Sequence, residues 1–172
     1  MVSLEQLRVI MPHAGSRAAV FLLAINEAMD EFGIDTPGRQ AAFLAQVCHE
    51  SGSLRYVREL ASGAAYEDRA DLGNTEPGDG IRFKGRGLIQ ITGRANYSTC
   101  GRVLGLPLED RPELLEQVEH ACRSAGWFWL SRHCNELADA GDFKVITRRI
   151  NGGLNGFADR LAAYERATSV LA

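Results

Sequence analysis

The sequence lacks a long hydrophobic run. Its longest apolar stretch, residues 18–25, is far shorter than the ~20 residues that a membrane-spanning helix requires. It also lacks a basic start followed by an apolar segment of the kind that directs secretion, since residues 1–10 include Glu5 and Pro12 follows them. We therefore expect no secretory leader and no stable membrane insertion, and we interpret residues 18–25 as part of a core helix.

A strong charge imbalance is also missing. Nineteen basic side chains against 22 acidic ones give a net charge of −3 at pH 7, and the arginines are scattered along the chain. Proteins that bind nucleic acid usually carry a basic patch, so nucleic acid is not an expected partner. A chain of 172 residues that is 45% hydrophobic can bury one core, so we expect a single domain over residues 1–172, acting as a monomer.

Cysteine is sparse and widely spaced, at Cys48, Cys100, Cys122 and Cys134. Without a secretory leader, this spacing favours reduced, buried thiols over a disulfide framework. His120 and Cys122 lie close together in sequence, as do His133 and Cys134. Side chains one or two positions apart on a helix diverge by roughly 100° and 200°, so neither pair can converge on one ion. We expect no metal and no cofactor.

Helix signals recur along the chain. Ser3 is typical of a helix N-cap, a second helix begins at Gly15 or Ser16, and the pair Thr36 and Pro37 begins a third that ends at Gly52. Further helices are predicted over residues 94–104, from residue 112 onward, and over 142–149 and 158–171. The chain is therefore expected to be mainly α-helical.

Two segments interrupt the helical pattern. Residues 62–80 are rich in Gly, Asp, Asn and Glu, which predicts a loop lining a cleft. Residues 81–84 and 88–92 alternate or carry β-branched side chains around Gly85 and Gly87, which predicts a short β-hairpin or extended pair.

Two glutamates, Glu50 and Glu59, lie at and beyond the end of the third predicted helix. Glu50 follows the apolar run 43–49, so its carboxyl should be partly enclosed, as a proton donor requires. A donor that faces an ionised carboxylate across a polar cleft is the minimum apparatus for cleaving a glycosidic bond. On one continuous helix the two would be rotated by roughly 180° and about 13 Å apart, so residues 51–53 must be non-helical.

Other interpretations of these residues remain open. Glu50 could pair with Arg55 or Arg58 at a helix end, and Glu59 could be a solvated surface charge. The acids of the adjacent loop that could replace Glu59 are Glu67, Asp68 and Asp71. His49 is expected to be a hydrogen-bonded structural residue. At least one of Trp127 and Trp129 is expected in the core, although either could stack on a sugar, whereas Tyr66 and Tyr97 are better candidates to face a sugar.

Three segments resemble glycoside hydrolase family 19, which includes chitinases and bacteriophage endolysins. They are AFLAQVCHES at 42–51, FKGRGLIQITGRANY at 83–97 and INGGLNG at 150–156. The resemblance covers residues 15–170 or so. It implies a mainly α-helical, lysozyme-like fold in which two lobes flank a cleft, with hydrolysis that inverts the anomeric carbon.

The resemblance also implies a role for individual residues. Glu50 corresponds to the general acid, Glu59 to the general base of the short, endolysin-like members, and Thr92 to the hydroxyl that helps to hold the attacking water. The positions that contact sugar or organise the cleft are Gln90, Asn96, Tyr97, Asn151 and the cleft arginine Arg160.

The sequence does not decide between two polymers. Chitin and peptidoglycan share a backbone of β-1,4-linked N-acetylated aminosugars, on which the same two carboxylates can act. Plant chitinases carry a longer insert between the carboxylates and use disulfides, whereas here the insert is short and no leader is expected. These differences favour an endolysin that stays in the host cytoplasm until a separate membrane-permeabilising protein releases it to the wall, where peptidoglycan cleavage lyses the cell.

Three alternatives are kept. The first is a chitinase, the second is a wall-degrading toxin with an immunity partner, and the third is a catalytically silent glycan-binding module. The intact set of Glu50, Gln90 and Thr92 argues against the silent module.

Overall fold

The computed structural model describes residues 1–172 and is built mainly from α-helices. They are α1 (Leu4–Ile10), α2 (Arg17–Glu31), α3 (Pro37–Glu50), α4 (Asp79–Arg82), α5 (Arg94–Leu104), α6 (Val118–Ser131), α7 (Cys134–Asp139), α8 (Phe143–Asn151) and α9 (Phe157–Leu171). Short 3₁₀ helices occupy Ala64–Tyr66, Ala70–Leu72 and Pro112–Glu116. None of the helices combines the length and the apolar composition needed to cross a bilayer.

The predicted helix starts are confirmed by their capping contacts. Ser3 forms a capping box with Gln6, in which each side chain bonds to the backbone of the other residue. Thr36 accepts a hydrogen bond from the backbone N–H of Arg39 and is followed by Pro37 at the first helical position. Local sequence therefore determines where α1 and α3 begin.

Most helices pack into one body, which we call the helical lobe: α1–α3 and α6–α9. Its centre is α3, where every residue from 41 to 48 is buried, and α9 packs along it. The expected place of the tryptophans is confirmed, because Trp127 and Trp129 are both buried and the Trp129 ring meets Phe43 edge-on at 5.5 Å. This packing fixes the end of α3, and Glu50 with it.

The four cysteines belong to the interior, as predicted. Each is free and buried. Burial disfavours the thiolate and raises the pKa of every one of these thiols, to about 12 for Cys100 and Cys134. No group of three or more His, Cys, Asp or Glu side chains is arranged to hold a metal ion.

The segment from residue 51 to 111, which we call the loop lobe, has little regular structure. The predicted hairpin is reduced to Arg86 and Ile91, whose backbones exchange hydrogen bonds of 3.1 and 2.7 Å, with Arg58 bridging Arg86 on its other side. The extended first arm expected at residues 81–84 is wrong in part, since Ile81 and Arg82 belong to α4. Gly78 begins that helical turn, and its carbonyl accepts the backbone N–H of Arg82 at 3.0 Å.

The chain reverses sharply after α3. Gly52, Ser53 and Leu54 all have left-handed backbones, with φ of 56°, 58° and 64°. Ser51 stabilises the turn, because its hydroxyl donates to the Val47 carbonyl at 2.6 Å and accepts the Leu54 N–H at 2.8 Å. Residues 51–53 are therefore non-helical, as the two-carboxylate hypothesis requires, and the chain enters the loop lobe instead of continuing along the helix axis.

Candidate active site

The proposed acid, Glu50, is the last residue of α3 and its side chain is only 18% exposed. One oxygen, Oε1, accepts a hydrogen bond of 2.6 Å from Nη2 of Arg160 on α9. The other oxygen accepts no hydrogen bond from the protein. Glu50 is thus held by a cation from a different helix, and the alternative in which it pairs with Arg55 or Arg58 is excluded.

Arg160 is itself completely buried, which requires that its charge be paired and its N–H groups be satisfied. Beyond Glu50, its Nη1 donates to Gln46 Oε1 at 2.6 Å and its Nε donates to the Asn155 carbonyl at 3.1 Å. Gln46 in turn donates to the hydroxyl of Thr147 at 2.9 Å. We call Glu50, Arg160, Gln46 and Thr147 the acid cluster.

The proposed base, Glu59, is partly buried in the loop lobe. Its backbone N–H donates to the Gly85 carbonyl at 3.0 Å, and its Oε2 accepts a hydrogen bond of 3.0 Å from the Tyr66 hydroxyl. Burial and this bond raise the pKa of Tyr66. Oε1 of Glu59 is buried and accepts no hydrogen bond from the protein.

Gly85 is the point where the base side of the site converges. A Cβ atom at this position would lie 2.7 Å from Gln90 Oε1, 2.8 Å from Glu59 Oε2 and 3.3 Å from Thr92 Oγ1. Three polar side chains therefore surround a space that only glycine leaves open. We call Glu59, Tyr66, Gln90 and Thr92 the base cluster.

Asn96 and Asn151 are two further predicted site residues. Asn96 supports the base cluster, because its amide donates to the Thr92 carbonyl at 2.8 Å. Asn151 ends α8, and its Oδ1 is buried without a hydrogen-bond partner.

Tyr97 is corrected as a sugar-facing residue, since it is completely buried. Its hydroxyl donates to the Lys84 carbonyl at 2.6 Å and accepts a hydrogen bond from Arg86 at 3.1 Å. Its ring lies 5.3 Å from that of Phe83. Tyr97 therefore stabilises the chain segment that leads to Gly85.

The three loop acids that could replace Glu59 as the base lie in other surroundings. Glu67 accepts the backbone N–H groups of Gly78 and Gly80 at 2.6 and 2.8 Å. Asp71 pairs with Arg69 at 2.6 Å, and Asp68 is exposed. Glu59 is the acid that lies beside Gln90 and Thr92, which favours it as the base.

A buried ion pair anchors the loop that carries Tyr66. Asp79 accepts two hydrogen bonds from Arg94, of 2.8 and 2.6 Å, and further bonds from the backbone N–H groups of Thr75 and Glu76. The Arg94 guanidinium lowers the pKa of Asp79 from its ordinary value. Asn74 extends this anchor by donating to the Tyr66 carbonyl at 2.8 Å.

His49 is a structural residue, as expected. Its Nδ1 lies 2.6 Å from Oδ2 of Asp159 on α9. A Cβ on Gly156 would collide with the imidazole ring, so the chain before α9 packs directly on it. The pairs formed by His49 with Asp159 and by Glu50 with Arg160 join the same two helices at consecutive positions.

Sequence reasoning missed three residues of the site. Gln46 lies one helical turn before Glu50, and a polar residue in an otherwise apolar run was the available signal. Thr147 gave no such signal, because its partner Gln46 is 101 positions away. Gly85 was recognised only as a glycine that allows close approach, without the residues that approach it.

Comparison with known proteins defines the class. The chain matches the family described as Chitinase class I over residues 34–170, which makes it a glycoside hydrolase. More particularly, it belongs to glycoside hydrolase family 19. A family 19 domain-containing protein of Haemophilus influenzae is 32% identical over 195 residues, which cover 95% of this chain and 94% of the relative.

An endochitinase of Arabidopsis thaliana is 41% identical over 114 residues, but these represent 66% of this chain and only 39% of the plant protein. Among solved structures, a bacterial family 19 chitinase matches with a TM-score of 0.81 and 28% identity, covering 99% of this chain and 94% of that one. Chitinase C of Streptomyces griseus matches with a TM-score of 0.80 and 26% identity, covering 99% and 76%. The expected helical, lysozyme-like fold is confirmed.

Proposed function

We propose that the protein hydrolyses β-1,4 bonds between N-acetylated aminosugars in one displacement that inverts the anomeric carbon. Glu50 donates a proton to the leaving oxygen, and Glu59 removes a proton from the attacking water. The observation that carries this proposal is the convergence of Glu59, Gln90 and Thr92 around Gly85. These side chains supply a carboxylate, an amide and a hydroxyl around one position, and in the proposed reaction a water held there gives its proton to Glu59, whose Oε1 has no protein partner.

The carboxylates of the proposed acid and the proposed base are anchored separately. An inverting enzyme needs roughly 6.5–9.5 Å between its carboxyl groups to admit a water, against about 5 Å in a retaining enzyme. Glu50 and Glu59 share no hydrogen bond and no common partner residue, since one is held by Arg160 and the other by Tyr66. No hydrogen bond therefore holds the two carboxylates against each other.

We propose that the polymer is the glycan strand of peptidoglycan, cleaved to lyse a bacterial cell after release of the protein from the cytoplasm. Alternate sugars of this strand carry lactyl-peptide branches, which need an open wall beside the cleft. The loop over residues 62–80 supports this, because it folds tightly on itself through Glu67 and through the close packing of Gly63 on Gly80. A compact loop leaves room for the branches.

Chitin is the second candidate, and the names of several relatives favour it. Endochitinases of Arabidopsis thaliana and Zea mays are among the proteins that this chain resembles. Chitin carries no peptide branches, so a low cleft wall is not required for it.

The test is incubation of the protein with purified peptidoglycan and, separately, with chitin oligosaccharides, followed by mass analysis of the cut ends. We expect disaccharide-peptides with intact stems from peptidoglycan. Chitin cleavage without release of peptidoglycan fragments would replace the first polymer by the second. New free amino groups from peptide cleavage would contradict glycoside hydrolysis of the wall.

A further inference from the structure

A polar pocket of about 390 Å³ lies where the end of α3, the turn after it, the segment after α1 and helix α9 meet. Its polar side chains belong to His13, His49, Ser53, Arg55, Tyr56, Asp159 and Arg166. None of these residues belongs to the acid or base cluster. The pocket is therefore an additional feature of the surface beside the site.

The charges of this pocket are not balanced. Asp159 is its one acidic side chain, and it is already bonded to His49 at 2.6 Å. Arg55 is exposed and forms no ion pair; its guanidinium carbon lies 5.9 Å from the centre of the Tyr56 ring. Arg166 also has no acidic partner. Two arginine cations therefore face the pocket without a carboxylate of their own.

Arg166 is held in a defined orientation. Its Nε and Nη2 both donate to the carbonyl of Ile10, at 3.2 and 3.1 Å. This double contact fixes the plane of the guanidinium, and Nη1 donates to no oxygen of the protein. Guanidinium groups with free N–H donors bind carboxylates well, because the geometry of the two groups matches.

The pocket lies near the proposed general acid along both helices. His49, which lines the pocket, precedes Glu50 on α3, and Asp159, which also lines it, precedes Arg160 on α9. On each helix the pocket and the acid cluster are therefore one residue apart in sequence. An extended tripeptide spans about 10 Å. A branch on a sugar bound near Glu50 is thus long enough to enter the pocket.

We propose that this pocket, which we call the anion pocket, binds the carboxylates of a peptide stem attached to the glycan. Arg55 and Arg166 supply the charge, and the Tyr56 ring supplies an apolar wall. This inference rests on the proposed peptidoglycan function and adds a recognition site for the branch, so that the enzyme distinguishes a peptide-bearing strand from a neutral one.

Direct binding tests the pocket without any hydrolysis. The probe is the tripeptide L-alanyl-γ-D-glutamyl-diaminopimelate, titrated into ¹⁵N-labelled protein and followed by NMR. We expect shifts at residues 12–13, 48–56, 159 and 166. Arg55→Gln should weaken the affinity about threefold to fivefold, the upper part of the range for an exposed ion pair. Arg102→Gln, which removes an exposed arginine of α5, is the matched control and should leave the affinity unchanged.

A second measurement separates this proposal from the choice of polymer. The ratio of hydrolysis rates on intact peptidoglycan and on peptidoglycan stripped of its stems should fall in Arg55→Glu and not in Arg102→Glu. Absence of tripeptide shifts, or equal affinity in Arg55→Gln, overturns the anion pocket even if peptidoglycan is cleaved. Tripeptide binding at these residues supports the anion pocket even if the protein does not hydrolyse peptidoglycan. In that case the proposed function is wrong and the proposed binding site stands.

Discussion

The two carboxylates proposed to act in catalysis are held by two different kinds of structure. Glu50 ends a buried helix and is bonded to Arg160, which is enclosed by the helical lobe. Glu59 lies in an irregular stretch between α3 and α4 and receives one side-chain hydrogen bond, from Tyr66. The acid is therefore positioned by the packing of the core, whereas the base is positioned by local contacts of a loop. Changes on the base side should affect activity with little loss of stability, and changes on the acid side should affect both.

The largest expected effect comes from removing the proton at Glu50. Glu50→Gln keeps the volume of the side chain and a hydrogen bond to Arg160 but cannot donate an acidic proton, so the rate should fall by about 10²–10⁴-fold. The initial rate on peptidoglycan and on chitin oligosaccharides is the measurement, with circular dichroism to confirm folding. A folded variant with near-full activity would rule out Glu50 as the acid.

The next effect isolates the base side. In Gly85→Ala the new methyl group meets Gln90 and Glu59 oxygens within 2.8 Å, so both must shift. A displacement of about 1 Å at a catalytic group can cost 10²-fold, and we expect a loss of that order in rate with only a small fall in melting temperature.

Gly38→Ala is the matched control for this change. It lies in α3 with its nearest neighbour 4.0 Å from the new Cβ, and an added methyl group in a helix is neutral or stabilising. Activity should stay at the wild-type level in Gly38→Ala. Equal activity in the two variants would contradict the convergence of the base cluster at Gly85.

The acid side should respond in stability as well. Arg160→Met removes the cation between Glu50 and Gln46 and leaves a buried amide oxygen unpaired, so unfolding free energy should fall by about 2–3 kcal/mol along with activity. Arg123→Met is the comparison, because Arg123 also forms a doubly hydrogen-bonded pair, with Glu31, but at the surface. The loss of unfolding free energy in Arg123→Met should stay below about 1 kcal/mol. Urea unfolding measures both, and similar losses would contradict the buried role of Arg160.

A smaller effect concerns the anchor of the loop. Because Arg94 depresses the pKa of Asp79, the pair stabilises the fold above the ordinary carboxyl pKa of 3.8, and this stability is lost as the pH falls through the lower folded value. Asp79→Asn should therefore be less stable than the wild type at pH 7. The difference in stability between the wild type and Asp79→Asn should narrow below about pH 4. Urea midpoints from pH 7 to 2.5 test this, and a difference that does not change with pH would exclude the ion pair as the cause.

The same contrast explains how much the sequence could predict. Helices α1, α3 and α9 carry local signals in caps, prolines and apolar periodicity, so their positions and that of Glu50 were accessible. The partners of Glu50 were not, because Arg160 is 110 positions away and only packing of α9 on α3 brings it there. In the loop lobe, the apolar residues Ile81 and Phe83 occupy alternate positions as in a strand, yet Gly78 begins a helical turn that leaves Ile81 exposed and Phe83 buried. Tyr97 looked like a sugar contact because polar residues flank it, and only the fold shows that its helix turns it inward.

The configuration of the first-formed product tests the central claim most directly. The account assigns proton donation to Glu50 and water activation to Glu59, which requires inversion at the anomeric carbon. Proton NMR of a soluble oligosaccharide substrate, recorded within the first minutes of hydrolysis, should show the α-anomer before mutarotation. Initial appearance of the β-anomer would show retention and would contradict the role given to Glu59 as the base that activates a water.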